Sequence, residues 1–383
     1  MAALAPLPAE QHRLYLVPPL ERNAPEVVEE GESALARYDY AAADEALKAL
    51  PHGFWHVSPA ELRARALRVV SSAALNLGDL DAAERAAQSL RATVETAAFD
   101  DLARADALFH LGCSRHLRGR TANAIGLLSA ALRLCERDET GNDALRVSIL
   151  DWRSRSYRRQ RDWESASADA EAAFELADTL DDDRSAGSAA LQASTLAERR
   201  GQTLVARFFA EQACERFTAA GDRVSLGRAL NNLGGIDALL GDTAGALESI
   251  DAAIAVLTEA GQDGDAAQAN SSRAQILLLC EDAAQAEPEA RAAMAVLDGL
   301  ATHALESGTV RVTLGTALAA LGRPDEAEAV LREAEDRFQA LELPSHTARA
   351  VAARADVVAE RGDCGAALGL YREALALVQD VRF

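Results

Sequence analysis

A chain of 383 residues is too long for one ordinary compact core, yet no break in composition divides it into separate globular domains. Apolar residues make up 49% of it and aromatics only 4%, so alanine and leucine must carry the packing. Both favour helix, and strand-like runs of Val, Ile, Thr and aromatics are absent. The formal net charge of −21 argues against non-specific binding to DNA, RNA or anionic membrane, each of which needs a basic footprint.

Residues 1–25 contain Pro6, Pro8, Pro18, Pro19 and Pro25, a density that blocks long helix. A tail or linker is expected there, with one short helical turn near Gln11–Val17. The segment lacks an early basic region and is broken by proline, so a secretory signal is not expected. No later stretch approaches the roughly 20 apolar residues of a membrane span. The five cysteines (Cys113, Cys135, Cys214, Cys280 and Cys364) are dispersed and form no CxxC, which reads as small buried residues in a reducing compartment. The expected location is cytoplasmic.

From about residue 26 to residue 383 one pattern recurs. Arg37, Gly78, Gly119, Arg161, Gly201, Gly241, Glu281, Gly322 and Gly362 follow one another at intervals of 40 to 42 residues. Five residues after each stands an alanine: Ala42, Ala83, Ala124, Ala166, Ala206, Ala246, Ala286, Ala327 and Ala367. Such self-similarity means stacked supersecondary units, each burying its apolar face against its neighbours. Each unit is predicted as two helices. In the sixth, Ser225–Leu240 precedes Thr243–Ala260, and the marker glycine ends the first helix in a left-handed conformation.

Inter-unit loops are short and polar, as at 138–143 (DETGND), 180–184 (LDDDR) and 219–223 (AAGDR). The link after the first unit is bulkier, with Phe54 and Trp55. It ends in Ser58-Pro59-Ala60-Glu61, the order expected for a capping serine, a first-turn proline and a capping-box glutamate. Seven residues before the markers come Ser71, Gly112, Ser154, Ser194, Gly234, Ala274, Gly315 and Ala355. Small side chains there let the two helices of a unit approach closely. Twelve residues after the markers come Leu90, Ala131, Ala173, Ala213, Ala253, Ala293, Ala334 and Ala374, on the same face as the first alanine.

The pattern resembles the tetratricopeptide repeat. Residues 229–257 carry Leu233-Gly234, the turn Gly241, and Ala246 and Ala253; residues 108–112, 313–335 and 359–375 repeat parts of the motif. The resemblance covers nearly the whole chain and implies an all-α, right-handed superhelical solenoid of about nine helix pairs. Two departures stand out: these units exceed the usual length of about 34 residues, and no regular proline ends the second helix. Longer units are similar to those of kinesin light chains, of the sensor regions of bacterial transcription activators and of quorum-sensing peptide receptors. The chaperone-binding clamp of paired Asn and Lys is excluded, because Lys48 is the sole lysine.

In such a superhelix the first helices line the concave face. Positions 13, 10, 6, 3 and 2 before each marker are the inward ones that the resemblance implies. The partner-binding candidates so obtained are Arg68, Phe109, His116, Asp151, Arg155, Arg158, Arg159, Thr195, Asn231, Gln268, Ser271 and Gln275. Asn and Gln amides can pair with both peptide N–H and C=O, which suits an extended peptide; alternatively such residues solvate a wide channel. From Arg104 to Arg161 there are 12 arginines and 6 acids, densest in Arg153–Arg161. This reads either as a site for an acidic ligand gripped by guanidinium forks, or as helix-end charge and pairing with neighbouring acids.

His110, Cys113 and His116 spread over about 120° of one helix and do not converge on a metal. His52 and His56 flank Trp55 without further ligands. No phosphate-loop, dinucleotide, zincin or nucleophile-elbow string occurs, so neither catalysis nor a cofactor is expected. The last helix, about Ala366–Arg382, is expected to leave Leu368, Leu375 and Val378 on an open apolar edge suited to a second copy of the chain or to a partner. The sequence therefore points to a non-enzymatic scaffold that binds a protein or peptide in its concave groove. The alternative is the ligand-sensing portion of a bacterial regulator whose DNA-binding domain is supplied elsewhere.

Overall fold

A computed structural model describes residues 23–379, apart from positions 38, 52, 98, 138–141, 301 and 302. The proline-rich residues 1–22, His52 and most of the 138–143 loop thus lie outside the described residues. Within them the secondary structure is helical, without strands. Helices follow in the order α1 (Ala24–Ala36), α2 (Tyr40–Lys48), α3 (Phe54–Val57), α4 (Ala60–Leu77), α5 (Leu80–Thr96), α6 (Asp101–Leu117), α7 (Thr121–Cys135), α8 (Asp143–Arg159), α9 (Trp163–Thr179) and α10 (Asp183–Arg199). They continue with α11 (Thr203–Ala219), α12 (Arg223–Leu239), α13 (Thr243–Glu259), α14 (Asp263–Leu279), α15 (Ala283–Asp298), α16 (Ala304–Ala320), α17 (Pro324–Ala340), α18 (Pro344–Glu360) and α19 (Cys364–Gln379). The chain divides into two compact units, residues 1–172 and 173–383.

The long period has a local cause. In the sixth repeat both helices, α12 and α13, have 17 residues, and three-residue turns follow them. In the first turn Leu240 stays near the helical region, Gly241 turns left-handed at φ 83°, and Asp242 caps α13 by accepting the Gly245 N–H. The turn returns the Asp242 N–H to the Asp237 carbonyl (3.0 Å) and the Gly241 N–H to the Ala238 carbonyl (3.1 Å), which satisfies carbonyls left open at the helix end.

Eight of the nine markers are left-handed, Arg161 and Glu281 among them at φ 62° and 60°. Arg37 is not: its φ is −96°. In that repeat Asp39 caps the second helix as Asp79 does in the next, so its register runs one residue later than the count from Arg37. Accordingly Ala43 is fully buried and Ala42 is only half-buried.

Both rows of small residues are where close helix approach requires them. Ser71, Ser154, Ser194, Ala274 and Ala355 are fully buried. Ser154 and Ser194 donate to the Ala166 and Ala206 carbonyls, each at 2.8 Å, tying the two helices of a repeat. A Cβ at Gly315 would lie 2.5 Å from Leu331, and one at Gly234 would lie 2.7 Å from Ile250 and 2.9 Å from the Ala246 carbonyl. Ala131, Ala173, Ala213, Ala253 and Ala334 have no exposed surface.

Four expectations need correction. Helix α1 starts at Ala24 with Pro25 in its first turn, so Pro25 belongs to a helix and not to the preceding segment. Ser58 does not cap α4: the helix begins at Ala60 after Pro59, with no side-chain cap, because Ser58 is extended and closes the one-turn α3 instead. The cysteines are not uniformly buried: Cys113 and Cys135 are, but Cys280 and Cys364 are exposed at helix ends. Val378 is not open to solvent like Leu368, Tyr371 and Leu375 but packs on the Ala348–Val351–Ala374 cluster.

Within each unit successive first helices touch: α4 with α6 and α6 with α8 in the first, α10 with α12, α12 with α14, α14 with α16 and α16 with α18 in the second. Successive second helices come nowhere as close. First helices therefore form the tighter, inner layer. No described helix is long and apolar enough to cross a membrane.

Candidate functional sites on the first-helix layer

In the first unit the inner layer encloses a cavity of about 470 Å³. Leu35 and Tyr40 border it from the first repeat, Ser72, Leu75 and Asn76 from α4, Phe109, His110, Cys113 and Leu117 from α6, and Trp152 and Arg155 from α8. The walls are mostly apolar and aromatic. Phe109 meets His110 edge-on at 5.4 Å between ring centroids. His110 is only 4% exposed, its Nδ1 has no hydrogen-bond partner, and burial pushes its pKa down, so the imidazole is neutral. Burial likewise drives the Cys113 thiol well up, away from thiolate. At the rim Arg155 donates from Nε to Asp151 at 2.9 Å and lies over the Trp152 ring.

In the second unit a smaller cleft of about 140 Å³ is bordered by Gln268, Ser271, Ser272 and Gln275 of α14, Leu305, Glu306 and Thr309 of α16, and His346 of α18. Three of the predicted residues meet here. Ser271 is 4% exposed and its hydroxyl has no partner. Asn231 lies on α12 with its Oδ1 buried and unpartnered, and Thr195 donates to the Leu191 carbonyl of its own helix at 3.0 Å.

The remaining predicted residues serve the scaffold. Arg68 pairs with Asp106 of the next first helix at 2.9 Å. His116 is 7% exposed and wedged between α6 and α8. The Ser156 hydroxyl donates to the Trp152 carbonyl at 2.9 Å and so accepts from the His116 Nδ1–H, also at 2.9 Å. Burial, aided by Arg159, Arg155 and Arg158, holds His116 down at about 4. Arg159 donates to the His116 carbonyl at 2.6 Å, and Arg158 is half-buried on the same turn. Arg153, in the basic cluster, forms a bidentate pair with Asp169, both contacts at 2.7 Å. Much of the local positive charge is thus consumed inside the fold.

Two features escaped the sequence. Position 9 before the marker, which supplies His110, Trp152 and Ser272, also faces the inner layer, because the exposed face is wider than the positions counted. Arginines also staple adjacent first helices: Arg65 to Glu32, Arg68 to Asp106, Arg184 to Asp222 and Arg228 to Asp265. A charge pairing at a separation near the repeat length was the available signal.

Residues 306–380 match the tetratricopeptide repeat family model. No curated protein matches by sequence. Among solved structures the chain is similar in fold to the apo form of RapI (TM-score 0.73, 10% identity, covering 94% of this chain and 98% of that one). It is also similar to the apo form of the quorum sensor NprR from B. thuringiensis (TM-score 0.70, 14% identity, covering 92% and 98%). A third is a Rap protein complexed with competence and sporulation factor (TM-score 0.66, 14% identity, covering 94% and 99%). By its repeat pattern, its paired helices and these matches, the chain has the fold of a tetratricopeptide-like helical solenoid, and residues 306–380 carry the family's repeat.

Proposed function

We propose that the protein binds a peptide or protein segment on the inner faces of its first helices, as a binding module and not as an enzyme. The carrying observation is the first unit's cavity, where three successive first helices bring Phe109, Trp152, Leu75 and Leu117 around a buried neutral His110, with Arg155 at the rim. Apolar walls with few polar groups suit a bulky ligand side chain. In the second unit Gln268, Gln275 and Ser271 offer amide and hydroxyl groups suited to peptide backbone. Support also comes from the fold's likeness to a Rap protein complexed with competence and sporulation factor. The test is selection from a random peptide display library, followed by anisotropy titration. Selected peptides should bind Phe109→Ala and Arg155→Glu at least about tenfold more weakly than wild type. Failure to select any binder, or equal binding by both variants, overturns the proposal.

A second reading is the sensing portion of a cytoplasmic bacterial regulator whose DNA-binding domain is supplied elsewhere. The likeness in fold to NprR, described as a quorum sensor, favours it. A helix-turn-helix protein that co-purifies only when the selected peptide is present would establish it. We also propose that the stripe of Leu368, Tyr371 and Leu375 on α19, each 41% to 55% exposed, pairs two copies of the chain. Sedimentation should show wild-type self-association that Leu368→Glu/Leu375→Glu abolishes; a wild-type monomer at high concentration counts against it.

A further inference from the structure

A further cavity in the first unit is not on the inner layer. It lies between α4 and α5, beside α3, and measures about 630 Å³. Leu67, Val70, Ala82 and Ala86 form its apolar floor, Ser89 and Thr93 add hydroxyls, and Trp55, Arg63 and Arg85 complete the lining. No acidic side chain borders it.

Three observations set this cavity apart from an ordinary helix–helix groove. First, among the described residues neither the Arg63 nor the Arg85 guanidinium makes a hydrogen bond or a close ion pair, and Arg85 acts on Asp81 only at longer range, whereas arginines elsewhere are extensively paired. The acids that could serve Arg85 on its own helix are committed: Asp81 is held by Arg118, and Glu84 by Arg115 and Arg118. Second, in so acidic a chain this wall is locally cationic. Third, Trp55 is presented deliberately. Gly53 turns left-handed at φ 85°, and the buried Phe54 anchors α3 in the core and packs edge-on against Trp55, with centroids 4.9 Å apart. Trp55 therefore stays 42% exposed at the cavity mouth, a position that costs apolar exposure unless something stacks on it.

We propose that this cavity is a second binding site, independent of the inner-layer reading, for a monocarboxylate carried on a ring-sized apolar body. The body fills the Leu67–Val70–Ala86 floor and stacks on Trp55, while the carboxylate takes the forks of Arg63 and Arg85, aided by the Ser89 hydroxyl. The same chemistry is offered by a free aryl acid and by the C-terminal aromatic residue of a peptide.

The test uses the full chain carrying Trp152→Phe/Trp163→Phe, which leaves Trp55 as the fluorescent reporter, with calorimetry on the unmodified chain as a second readout. The probes are 3-phenylpropionate, N-acetylphenylalanine and its neutral amide. Either acid should change Trp55 emission saturably, and the amide should bind at least about tenfold more weakly, the effect of losing two partly exposed charge-assisted pairs. Arg63→Gln/Arg85→Gln should weaken acid binding by a similar factor. Neither guanidinium makes a hydrogen bond or close ion pair among the described residues, and the Arg85–Asp81 attraction is exposed and screened, so the melting temperature should change little. Tighter binding of 3-phenylpropionate identifies a free acid as the ligand class, and tighter binding of N-acetylphenylalanine a peptide terminus. No saturable response to either acid, equal binding of the amide, or undiminished binding by the double variant overturns the proposal.

Discussion

The inner layer of the first unit and that of the second are built on one repeat yet present opposite chemistry. The first unit encloses aromatic and aliphatic walls around a buried imidazole. The second offers a shallow cleft of amides and hydroxyls. Equivalent positions supply both: Cys113 and Arg155 in the first correspond to Gln275 in the second, and Trp152 corresponds to Ser272. The backbone period leaves these positions facing the same layer, so a single substitution per helix sets the local chemistry without disturbing the seam of small residues behind it.

The comparison can be broken most strongly at the scaffold. In the second unit Arg311 is 4% exposed and held by Asp298 (2.7 Å), Glu333 (3.0 Å) and Ser307 (2.8 Å). Asp298→Ala leaves that buried guanidinium short of a partner. The expected loss in urea unfolding is about 2–3 kcal/mol, since Glu333 and Ser307 remain. At the helix seam, Ala253→Phe should overpack the contacts with Leu257 and Ala269 by about 1–3 kcal/mol. An unchanged melting temperature would contradict the seam.

At the sites themselves, Phe109→Ala should weaken a selected peptide by about tenfold and Gln275→Ala by about threefold, because lost apolar burial outweighs one partly solvated hydrogen bond. A reversed order, read by anisotropy, would mean that the amide cleft is the main anchor.

The smallest effect is in pH. His116 is held at about 4 against an ordinary value near 6.5, so the unfolded chain takes up its proton first as pH falls. Its contribution to stability is present above pH 6.5 and is lost between about 6.5 and 4. Glu335, in the second unit, is pushed up to about 6 by burial, from 4.5, so there the folded form takes the proton first and gains stability over the overlapping range. Hydrogen exchange should therefore show α6 and α8 losing protection on mild acidification while α17 does not. His116→Gln should remove the acid sensitivity of the first pair. Only below about 3.8, as Asp298 protonates toward its value of about 2, should the second unit weaken through its Arg311 pair.

Much of this architecture was legible in the chain. Small residues recur at each point of close helix approach because steric fit is local and repeats with the backbone, which is why Ser154, Ser194 and Gly315 could be placed by counting. Counting failed where one inserted residue moved the register, as at Arg37, and where a helix started after Pro59 and not at it. It could also place Arg159 and His116 at inward positions and Arg153 in the basic stretch, but not say that the His116 carbonyl, Ser156 and Asp169 absorb them.

By itself, then, the sequence determined the period, the helix pairing and the seam, all set by side-chain size and turn conformation within one unit. Only the tertiary structure decided which charges pair, which inward residues border a cavity, and that Arg63 and Arg85, beside Trp55, make no hydrogen bond or close ion pair among the described residues. Those outcomes depend on neighbours a whole repeat or more away, where distance and burial, not spacing along the chain, decide which contact wins.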